Sequence, residues 1–216
     1  MKIICISDTH NQLSKMKIPE GDLLIHAGDA TSMGTLQEVI TFSKEFRALP
    51  HPHKVFVPGN HDWLFEEQET LAREIMGLDV TVLIDQEITI QSTRIFGSPW
   101  QPTFCNWAFN VDRGKAIAKK WGQIPEQVDI LVTHGPPHGI LDFVITSEHC
   151  GCEELLKVVQ KIQPHIHVFG HLHHGYGQVT LGKTQYVNAS SCTEEYRPTN
   201  SPIIISHELF GNVNIS

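Results

Sequence analysis

Side chains that can bind metal ions follow five short apolar runs in this sequence. The last group is the most informative, because residues two apart in an extended backbone point the same way. His171 and His173 can therefore reach two adjacent ions. A lone pair of histidines is weak evidence, but four upstream groups also place an acid, an amide or an imidazole where a run ends. The candidate ligands are Asp8, His10, Asp29, Asn60, His134, His171 and His173.

Seven ligands exceed what one tetrahedral ion accepts, and they suit two ions that share a carboxylate. The mixture of imidazole, carboxylate and amide oxygen favours manganese, with iron or zinc as alternatives, over a thiolate-bound structural zinc. Two such ions about 3.5–4 Å apart hold a bridging hydroxide and stabilise the attacking and leaving oxygens of an in-line displacement. The chemistry indicated is phosphoester hydrolysis.

His61 has a different expected role, because its neighbour Asn60 is the better ligand and His61 can then point toward the substrate. The leaving alkoxide of a phosphoester needs a general acid, and we predict His61 for that role. Asp62 could accept a hydrogen bond from the other ring nitrogen of His61. That bond would fix the tautomer and favour the protonated ring.

Runs rich in Ile, Val and Leu alternate with helical patterns, which predicts a layered α/β fold. Buried strands are expected at residues 2–6, 23–26, 54–57, 130–133 and 166–169. Amphipathic helices are expected at residues 36–46, 71–76, 116–121 and 155–162. Chemistry gathers at the carboxyl ends of the strands in such folds, so all five groups of candidate ligands should meet at one rim.

Two regions, 80–96 and 177–205, contain clustered short strands, which predicts two sheets rather than one. Each of these regions reads as hairpin-like β structure. Single histidines inside apolar strands are more often satisfied core residues than ligands. His26 and His167 are therefore expected in the core.

The chain has 216 residues and a formal net charge of −8. That length suits one domain, expected over residues 1–216, because no linker or composition shift marks a second. Duplex nucleic acid and anionic membranes call for clustered Lys and Arg, so the expected partner is a small phosphoester. Five cysteines without zinc-ribbon spacing, and no signal peptide or membrane-spanning run, predict a cytosolic location.

Taken together, the five groups resemble the sequence blocks of the calcineurin-like metallophosphoesterase superfamily. The blocks occur in the family's order as Asp8-Thr9-His10, Gly28-Asp29, Gly59-Asn60-His61-Asp62, His134 and Gly170-His171-Leu172-His173. Within the superfamily, the chain is most similar to the metallophosphoesterase-domain-containing group. The stretches that carry this likeness include Ser7-Asp8-Thr9-His10, Thr133-His134-Gly135-Pro136-Pro137, Val168-Phe169-Gly170 and Asn188-Ala189-Ser190.

The resemblance implies an α/β fold built as a two-sheet β-sandwich flanked by helices. It also implies a pair of metal sites that share Asp29. The first site would be formed by Asp8, His10, Asp29 and His173, and the second by Asp29, Asn60, His134 and His171. Some members of the group lack the residue that corresponds to His171, so its presence here predicts a competent two-metal centre.

The leading expectation is a dinuclear-metal-dependent phosphoesterase that hydrolyses small phosphodiesters, such as nucleotides or cyclic nucleotides. A metal-bridging hydroxide would attack, with His61 as the general acid. The alternatives are a phosphomonoesterase or protein phosphatase, a nuclease, and a non-catalytic scaffold of the same fold. Scaffolds lose metal ligands, whereas this chain keeps all seven, and a nuclease would be expected to carry a basic groove.

The aromatic run at residues 99–110 has neither a helical nor a strand period, and it permits two interpretations. It is either a buried loop at the edge of the core or a pocket wall on which a nucleobase stacks. In the second case Trp100 and Trp107 would contact the substrate. His138 and Arg197 are further candidates for substrate contact.

Overall fold

The computed structural model describes residues 1–144, 146 and 148–206, which contain thirteen β-strands and five α-helices. The strands are β1 (Lys2–Ile6), β2 (Leu23–His26), β3 (His53–Phe56), β4 (Thr81–Val82), β5 (Gln86–Ile90), β6 (Thr93–Ser98), β7 (Gln101–Pro102), β8 (Asn110–Val111), β9 (Ile130–Thr133), β10 (Ile166–Phe169), β11 (Gly177–Leu181), β12 (Thr184–Asn188) and β13 (Ile203–Ser206). The helices are α1 (Leu36–Arg47), α2 (Trp63–Glu67), α3 (Glu69–Met76), α4 (Lys115–Trp121) and α5 (Glu153–Ile162). Within the described ranges, no helix is long and apolar enough to cross a bilayer.

The strands form two main sheets. The first has the order β13-β1-β2-β3-β4, and the second has the order β11-β12-β10-β9-β6-β5. The central strands of both sheets run parallel, and antiparallel pairs lie toward the edges, where β13 joins β1, β11 joins β12 and β5 joins β6. Strands β7 and β8 form a separate two-stranded ribbon. The predicted α/β sandwich of two sheets is confirmed.

The strands that precede the ligand groups are divided between the sheets. Strands β1, β2 and β3 belong to the first sheet, whereas β9 and β10 belong to the second. The two regions of clustered short strands are divided as well, because β4 and β13 join the first sheet and their neighbours join the second. The candidate site therefore forms where the carboxyl ends of two sheets meet.

Alternating side chains in the parallel strands build the layers of the core. Ile3 and Cys5 of β1 face the space between the sheets, where they pack in one cluster with Val132 of β9. Ile4 and Ile6 point the opposite way, into a second cluster that covers the outer face of the first sheet. Both faces of β1 are buried, which explains why the strand appears in the sequence as a continuous apolar run.

Helices cover the outer face of each sheet. Phe46 of α1 packs on the first sheet, and Trp121 of α4 and Leu155 of α5 pack on the second. Helix α1 has a defined start, because the Thr35 side chain accepts from the Glu38 main-chain N–H and the Glu38 carboxylate accepts from the Thr35 N–H. The helices expected from the sequence are all present, and the molecule has four layers.

Two glycines allow the loops of the two sheets to touch. A Cβ atom at Gly59, after β3, would collide with the main-chain nitrogen and carboxylate of Asp29 and with the His134 ring. A Cβ atom at Gly170, after β10, would collide with the Asp8 carboxylate and the Ser7 side chain. Only glycine permits this approach, so these positions connect the fold directly to the site.

We expect Gly59→Ala to lower the free energy of unfolding of the metal-free protein by about 1–3 kcal/mol, as overpacking does in tight interiors. Urea denaturation followed by circular dichroism measures the change. Gly122→Ala is the matched control, since Gly122 has ordinary right-handed helical angles at the end of α4. Equal stability of the two variants would show that the loops can separate to accept a methyl group.

Candidate metal centre

Four of the candidate ligands occupy the left-handed region of backbone conformation. The φ angles are 52° for Asp8, 41° for His10, 56° for Asp29 and 69° for His171. This region costs a non-glycine residue roughly 1–2 kcal/mol, because Cβ comes close to the following carbonyl oxygen. Strained residues of this kind persist only where surrounding contacts enforce them, and they cluster at functional sites.

Asp8 is fully buried beyond the end of β1, and donors surround its carboxylate. The His171 main-chain N–H lies 3.0 Å from both oxygens, and the Ser190 hydroxyl donates to Oδ2 at 3.0 Å. His173 Nε2 lies 3.4 Å from Oδ1. Burial alone would raise the pKa of Asp8, but His173 holds it well below the usual range. For His173 the effects are reversed: burial alone would lower its pKa, but the Asp8 carboxylate raises it to about 9.

Asp29 lies after β2, at the centre of the cluster. Its Oδ1 accepts the main-chain N–H of His61 at 2.8 Å. Its Oδ2 lies 3.4 Å from His134 Nε2, 3.9 Å from His61 Nε2 and 4.0 Å from His10 Nε2. Burial acts to raise the pKa of Asp29, but the adjacent His134 lowers it well below the ordinary value. Asp29 is therefore an ionised group that His10, His61 and His134 surround.

Main-chain carbonyl oxygens orient four of the histidine rings. Because a carbonyl oxygen only accepts, each Nδ1 carries a proton and each Nε2 faces the cluster. The Nδ1 contacts are His10 to Thr31 at 3.2 Å, His61 to Ser32 at 2.6 Å, His134 to Ala27 at 2.9 Å, and His173 to Thr193 at 2.9 Å. The rings are thus held in the orientation that a metal ligand requires.

His134 has oxygen acceptors at both ring nitrogens. Nδ1 faces the Ala27 carbonyl, and Nε2 lies 2.8 Å from Asn60 Oδ1 and 3.4 Å from Asp29 Oδ2. Only the doubly protonated ring can donate at both positions. Burial alone would lower the pKa of His134, but the Asp29 carboxylate raises it to about 9. A bound cation would replace the proton on Nε2.

The donor atoms form three compact groups, and the ligand atoms of each group lie within 4.8 Å of one another. The groups are Asp8, His10 and His173; His10, Asp29 and His61; and Asp29, His134 and His171. His10 Nε2 is buried and has no hydrogen-bond partner among the described residues, as expected of an atom that binds a metal ion. The donor sets combine imidazole with carboxylate, which suits divalent ions such as manganese, iron or zinc.

The structure brings all seven candidate ligands to one rim, and it brings His61 with them. The His61 ring stacks on Trp107, with 4.1 Å between the ring centroids and an angle of 34° between the planes. Its Nδ1 donates to the Ser32 carbonyl, which leaves Nε2 directed toward Asp29. A main-chain carbonyl therefore sets the tautomer of His61, in place of the carboxylate predicted from the sequence.

The predicted hydrogen bond between Asp62 and His61 is wrong. The buried Asp62 carboxylate accepts from the main-chain N–H groups of Ala30, Thr31 and Gly59 and from the Thr31 hydroxyl. Burial and the neighbouring Asp29 charge raise the pKa of Asp62 to about 6, against the effect of these donors. Asp62 turns away from His61 because it joins the loop after β2 to the loop after β3.

A cavity of about 440 Å³ opens above the cluster. Its wall includes Phe104 and Trp107 from the aromatic run and Tyr196 from the opposite side. The Tyr196 ring meets the His10 ring edge to face at 4.7 Å, and the Phe104 ring meets the His171 ring at 5.1 Å. Aromatic side chains therefore flank the donor cluster on two sides.

The structure separates the four residues proposed as substrate contacts. Trp107 lines the cavity, but Trp100, His138 and Arg197 are absent from its wall. The half-buried Trp100 packs against the core instead, and its Nε1 donates to Asp85 at 2.8 Å under the Lys120 ammonium. The aromatic run thus combines both interpretations, because its first tryptophan packs inside and its second faces the cavity.

His138 and Arg197 are placed by their loops. The half-buried His138 ring faces the His149 ring, with 5.7 Å between centroids, and the Arg197 side chain is exposed to solvent. The Arg197 carbonyl accepts from the main-chain N–H groups of Thr193 and Thr199. This turn points Tyr196, rather than Arg197, into the cavity.

Two contributions to the site were not predicted from the sequence. Arg113 lines the cavity and donates to the carbonyls of Cys150 and Gly151 and to the Glu153 carboxylate. No motif surrounds Arg113, so nothing in the sequence could indicate this position. Asn188 donates to the Leu172 carbonyl at 2.9 Å and so supports the loop that carries the last two ligands. The Asn188-Ala189-Ser190 motif was recognised in the sequence, but this supporting role of Asn188 was not predicted from it.

These features define the class of the protein: a sandwich of two sheets with a histidine-rich carboxylate cluster at the joined rim is the architecture of a metal-dependent phosphoesterase. The calcineurin-like phosphoesterase family profile matches residues 1–175, and the chain belongs to this family of dinuclear-metal-dependent enzymes. The predicted family is confirmed, and the protein is a metallophosphoesterase.

Curated relatives are similar to the chain in sequence, and a solved structure shares its fold. The chain is similar to Metallophosphoesterase domain-containing protein 1 of Homo sapiens and of Mus musculus, each 44% identical over 229 residues that cover 94% of this chain and 70% of that protein. It is 39% identical to UPF0046 protein C25E10.12 of Caenorhabditis elegans over 225 residues, which cover 94% and 80% of the two chains. One crystal structure shares the fold, with a TM-score of 0.65 at 15% identity over 87% of this chain and 89% of that chain.

We expect metal binding at pH 7 to release about two protons, because the pKa values of His134 and His173 are raised to about 9. Apparent affinity for Mn²⁺ should therefore increase as the pH rises and level off above about pH 9. Titration calorimetry in buffers of different ionisation enthalpy counts the protons. His173→Gln should release one fewer, and binding without proton release would contradict the assignment.

Asp62→Asn should lower the free energy of unfolding by about 1–3 kcal/mol. The new amide NH₂ group would face buried N–H and O–H donors whose hydrogen bonds the carboxylate accepted. Chemical denaturation of the metal-free protein measures this loss. Asp112→Asn is the control, since Asp112 is exposed. If both substitutions have equally small effects, Asp62 does not hold the two loops together.

Proposed function

We propose that this protein is a two-metal phosphodiesterase that hydrolyses small phosphodiesters, including nucleotides or cyclic nucleotides, with His61 as the general acid. The observation that carries this proposal is the position of His61. Its Nε2 reaches the cavity 3.9 Å from Asp29, while its Nδ1 donates to the Ser32 carbonyl. An imidazole held in this way can carry a second proton only on the nitrogen that faces the substrate.

The proposed metal sites use the seven candidate ligands. The first site is formed by Asp8, His10, Asp29 and His173, and the second by Asp29, Asn60, His134 and His171. Manganese is the proposed metal, with iron or zinc as alternatives, because the donors are imidazole and oxygen rather than thiolate. When bound, the two ions neutralise phosphoryl charge and supply a nucleophile at neutral pH.

His61 supplies the proton that the leaving oxygen needs. The Ser32 carbonyl keeps one proton on Nδ1, and stacking on Trp107 limits rotation of the ring. The proton on Nε2 can then pass to the leaving alkoxide as its bond to phosphorus breaks. Asp62 acts through its bonds to the loop after β2, which carries Asp29, and not through His61.

The cavity wall favours a monoanionic diester over a dianionic monoester. The guanidinium of Arg113 is already paired with the Glu153 carboxylate and two carbonyl oxygens, so a second phosphate charge gains little from it. Phe104, Trp107 and Tyr196 instead offer apolar surface for an ester group such as a nucleoside.

We further propose a cytosolic location, because all five cysteines are unpaired.

An activity panel tests the proposed substrate class. The protein is stripped with a chelator, reconstituted with Mn²⁺ and assayed on cyclic nucleotides, linear diesters and monoesters. We expect two equivalents of Mn²⁺ to restore activity and diesters to be hydrolysed faster than monoesters. Turnover of monoesters alone would make the diesterase proposal wrong, and normal metal binding without any turnover would favour a scaffold.

We expect His61→Ala to lower kcat about 10²–10⁴-fold on diesters with poor leaving groups, because these need the proton most. Aryl esters with good leaving groups should lose much less activity. Rates on a leaving-group series measure the difference, and the Mn²⁺ content is determined alongside. His53→Ala, at the opposite end of β3 from the rim, is the control. An equal loss on both substrate types would contradict the general-acid role.

A further inference from the structure

His26, the last residue of β2, contacts two ligand-bearing loops at once. Its side chain has no exposed surface. Its Nε2 lies 2.9 Å from the hydroxyl of Thr9, which stands between Asp8 and His10. Its Nδ1 accepts the main-chain N–H of Gly28, the residue before Asp29, at 3.3 Å. A single ring therefore connects the loop after β1 to the loop after β2.

The hydrogen bonds determine the tautomer of His26. Because Nδ1 accepts the Gly28 N–H, it carries no proton, and the proton of the neutral ring is on Nε2. Nε2 therefore donates to the Thr9 hydroxyl oxygen. These two hydrogen bonds occupy both nitrogens of the ring. It has no free nitrogen for a metal ion, although it lies next to the residues that do.

The surroundings of His26 are those of a core residue. Its ring lies within 5.3–5.9 Å of the rings of Phe42, Phe46 and Phe56, centroid to centroid. A phenylalanine would fill the same space and satisfy the packing. It would, however, leave the buried Gly28 N–H without an acceptor. Packing alone does not account for an imidazole here, but a link between the two loops does.

We propose that His26 is a positioning residue, which holds the Asp8-Thr9-His10 loop and the Asp29 loop at the spacing that metal binding requires. This inference rests on the proposed two-metal centre. Asp8 and His10 belong to one proposed site, and Asp29 is shared by both. A shift of one loop against the other therefore changes the geometry of both sites. Partners that orient metal ligands typically contribute 10–100-fold to metal affinity.

His167 of β10 provides a matched comparison. Its Nε2 lies 2.9 Å from the Thr133 hydroxyl, which itself donates to the Gly135 carbonyl at 2.7 Å. Its Nδ1 is buried and has no hydrogen-bond partner in the described ranges, so the hydrogen bonding of this ring reaches only the end of β9. The neighbouring ligand His134 is oriented by the carbonyl of Ala27 and not by His167. Loss of the His167 imidazole should therefore leave the ligands in place.

The test is Mn²⁺ binding by the metal-free 216-residue chain, measured by titration calorimetry, together with the electron paramagnetic resonance spectrum of the loaded protein. His26→Phe keeps the aromatic packing and removes both nitrogens. We expect its Mn²⁺ affinity to fall about 10-fold or more and the signal of an exchange-coupled ion pair to weaken. His167→Phe, the control, should keep the affinity and the spectrum of the unsubstituted protein.

Further variants separate the two hydrogen bonds. His26→Asn places an acceptor near the position of Nδ1, and His26→Gln places a donor near that of Nε2, so each should recover part of the affinity that His26→Phe loses. Thr9→Val removes one bond from the other side. It should weaken Mn²⁺ binding by itself but add little in the His26→Phe background, because both substitutions remove the same contact.

The possible failures are distinguishable. If the unsubstituted protein binds fewer than two Mn²⁺ ions, the proposed metal centre is wrong and this inference falls with it. If it binds two, and His26→Phe binds them equally tightly with the same spectrum, only the positioning role of His26 is wrong. If His26→Phe does not fold, unchanged Mn²⁺ affinity in both His26→Asn and Thr9→Val overturns the inference.

Discussion

Burial of two ionised carboxylates is the constraint on which the rest of this structure depends. Asp8 and Asp29 are 0% and 2% exposed. An unpaired charge at such depth would cost roughly several kcal/mol even after the surroundings relax. The chain surrounds both with main-chain N–H groups and imidazoles. Two divalent ions at the proposed sites would complete the compensation. The close-packed glycines and left-handed turns at the rim follow from the need to bring compensating groups from two sheets.

Adjacent residues have opposite roles at this rim because their side chains leave the backbone on opposite sides of one loop. His61 faces the cavity, where its ring rests on Trp107. Asp62 faces the interior, where its carboxylate accepts four hydrogen bonds from the loops after β2 and β3. The first side chain is placed for chemistry on a substrate, and the second keeps Asp29 in place. The proposed general acid and the frame that supports Asp29 are thus independent.

Much of the fold and the donor set could be predicted from the sequence, because continuous apolar runs and the polar residues that follow them are local signals. The five predicted buried strands and four of the five helices follow from the apolar periods, whereas α2, β7 and β8 were not predicted. The two-sheet sandwich and the family are confirmed. The directions in which the side chains point were harder to predict from the sequence. Trp100 and Trp107 lie in the same aromatic run, yet Trp100 packs against the core and donates to Asp85, whereas Trp107 lines the cavity. Arg113 is held at the cavity wall by hydrogen bonds to residues that lie 37 to 40 positions further along the chain.

The sequence by itself determined the layers of the sandwich, the seven candidate ligands and their placement after five strands, since each depends on residues within one strand and its loop. The tertiary structure decided which strands share a sheet, which histidines surround each buried carboxylate, and which nitrogen of each histidine faces inward. These features depend on contacts between distant segments, such as the hydrogen bond from Ser190 to Asp8 across 182 positions. A local pattern specifies that a group is buried, but only the folded chain specifies what it is buried against.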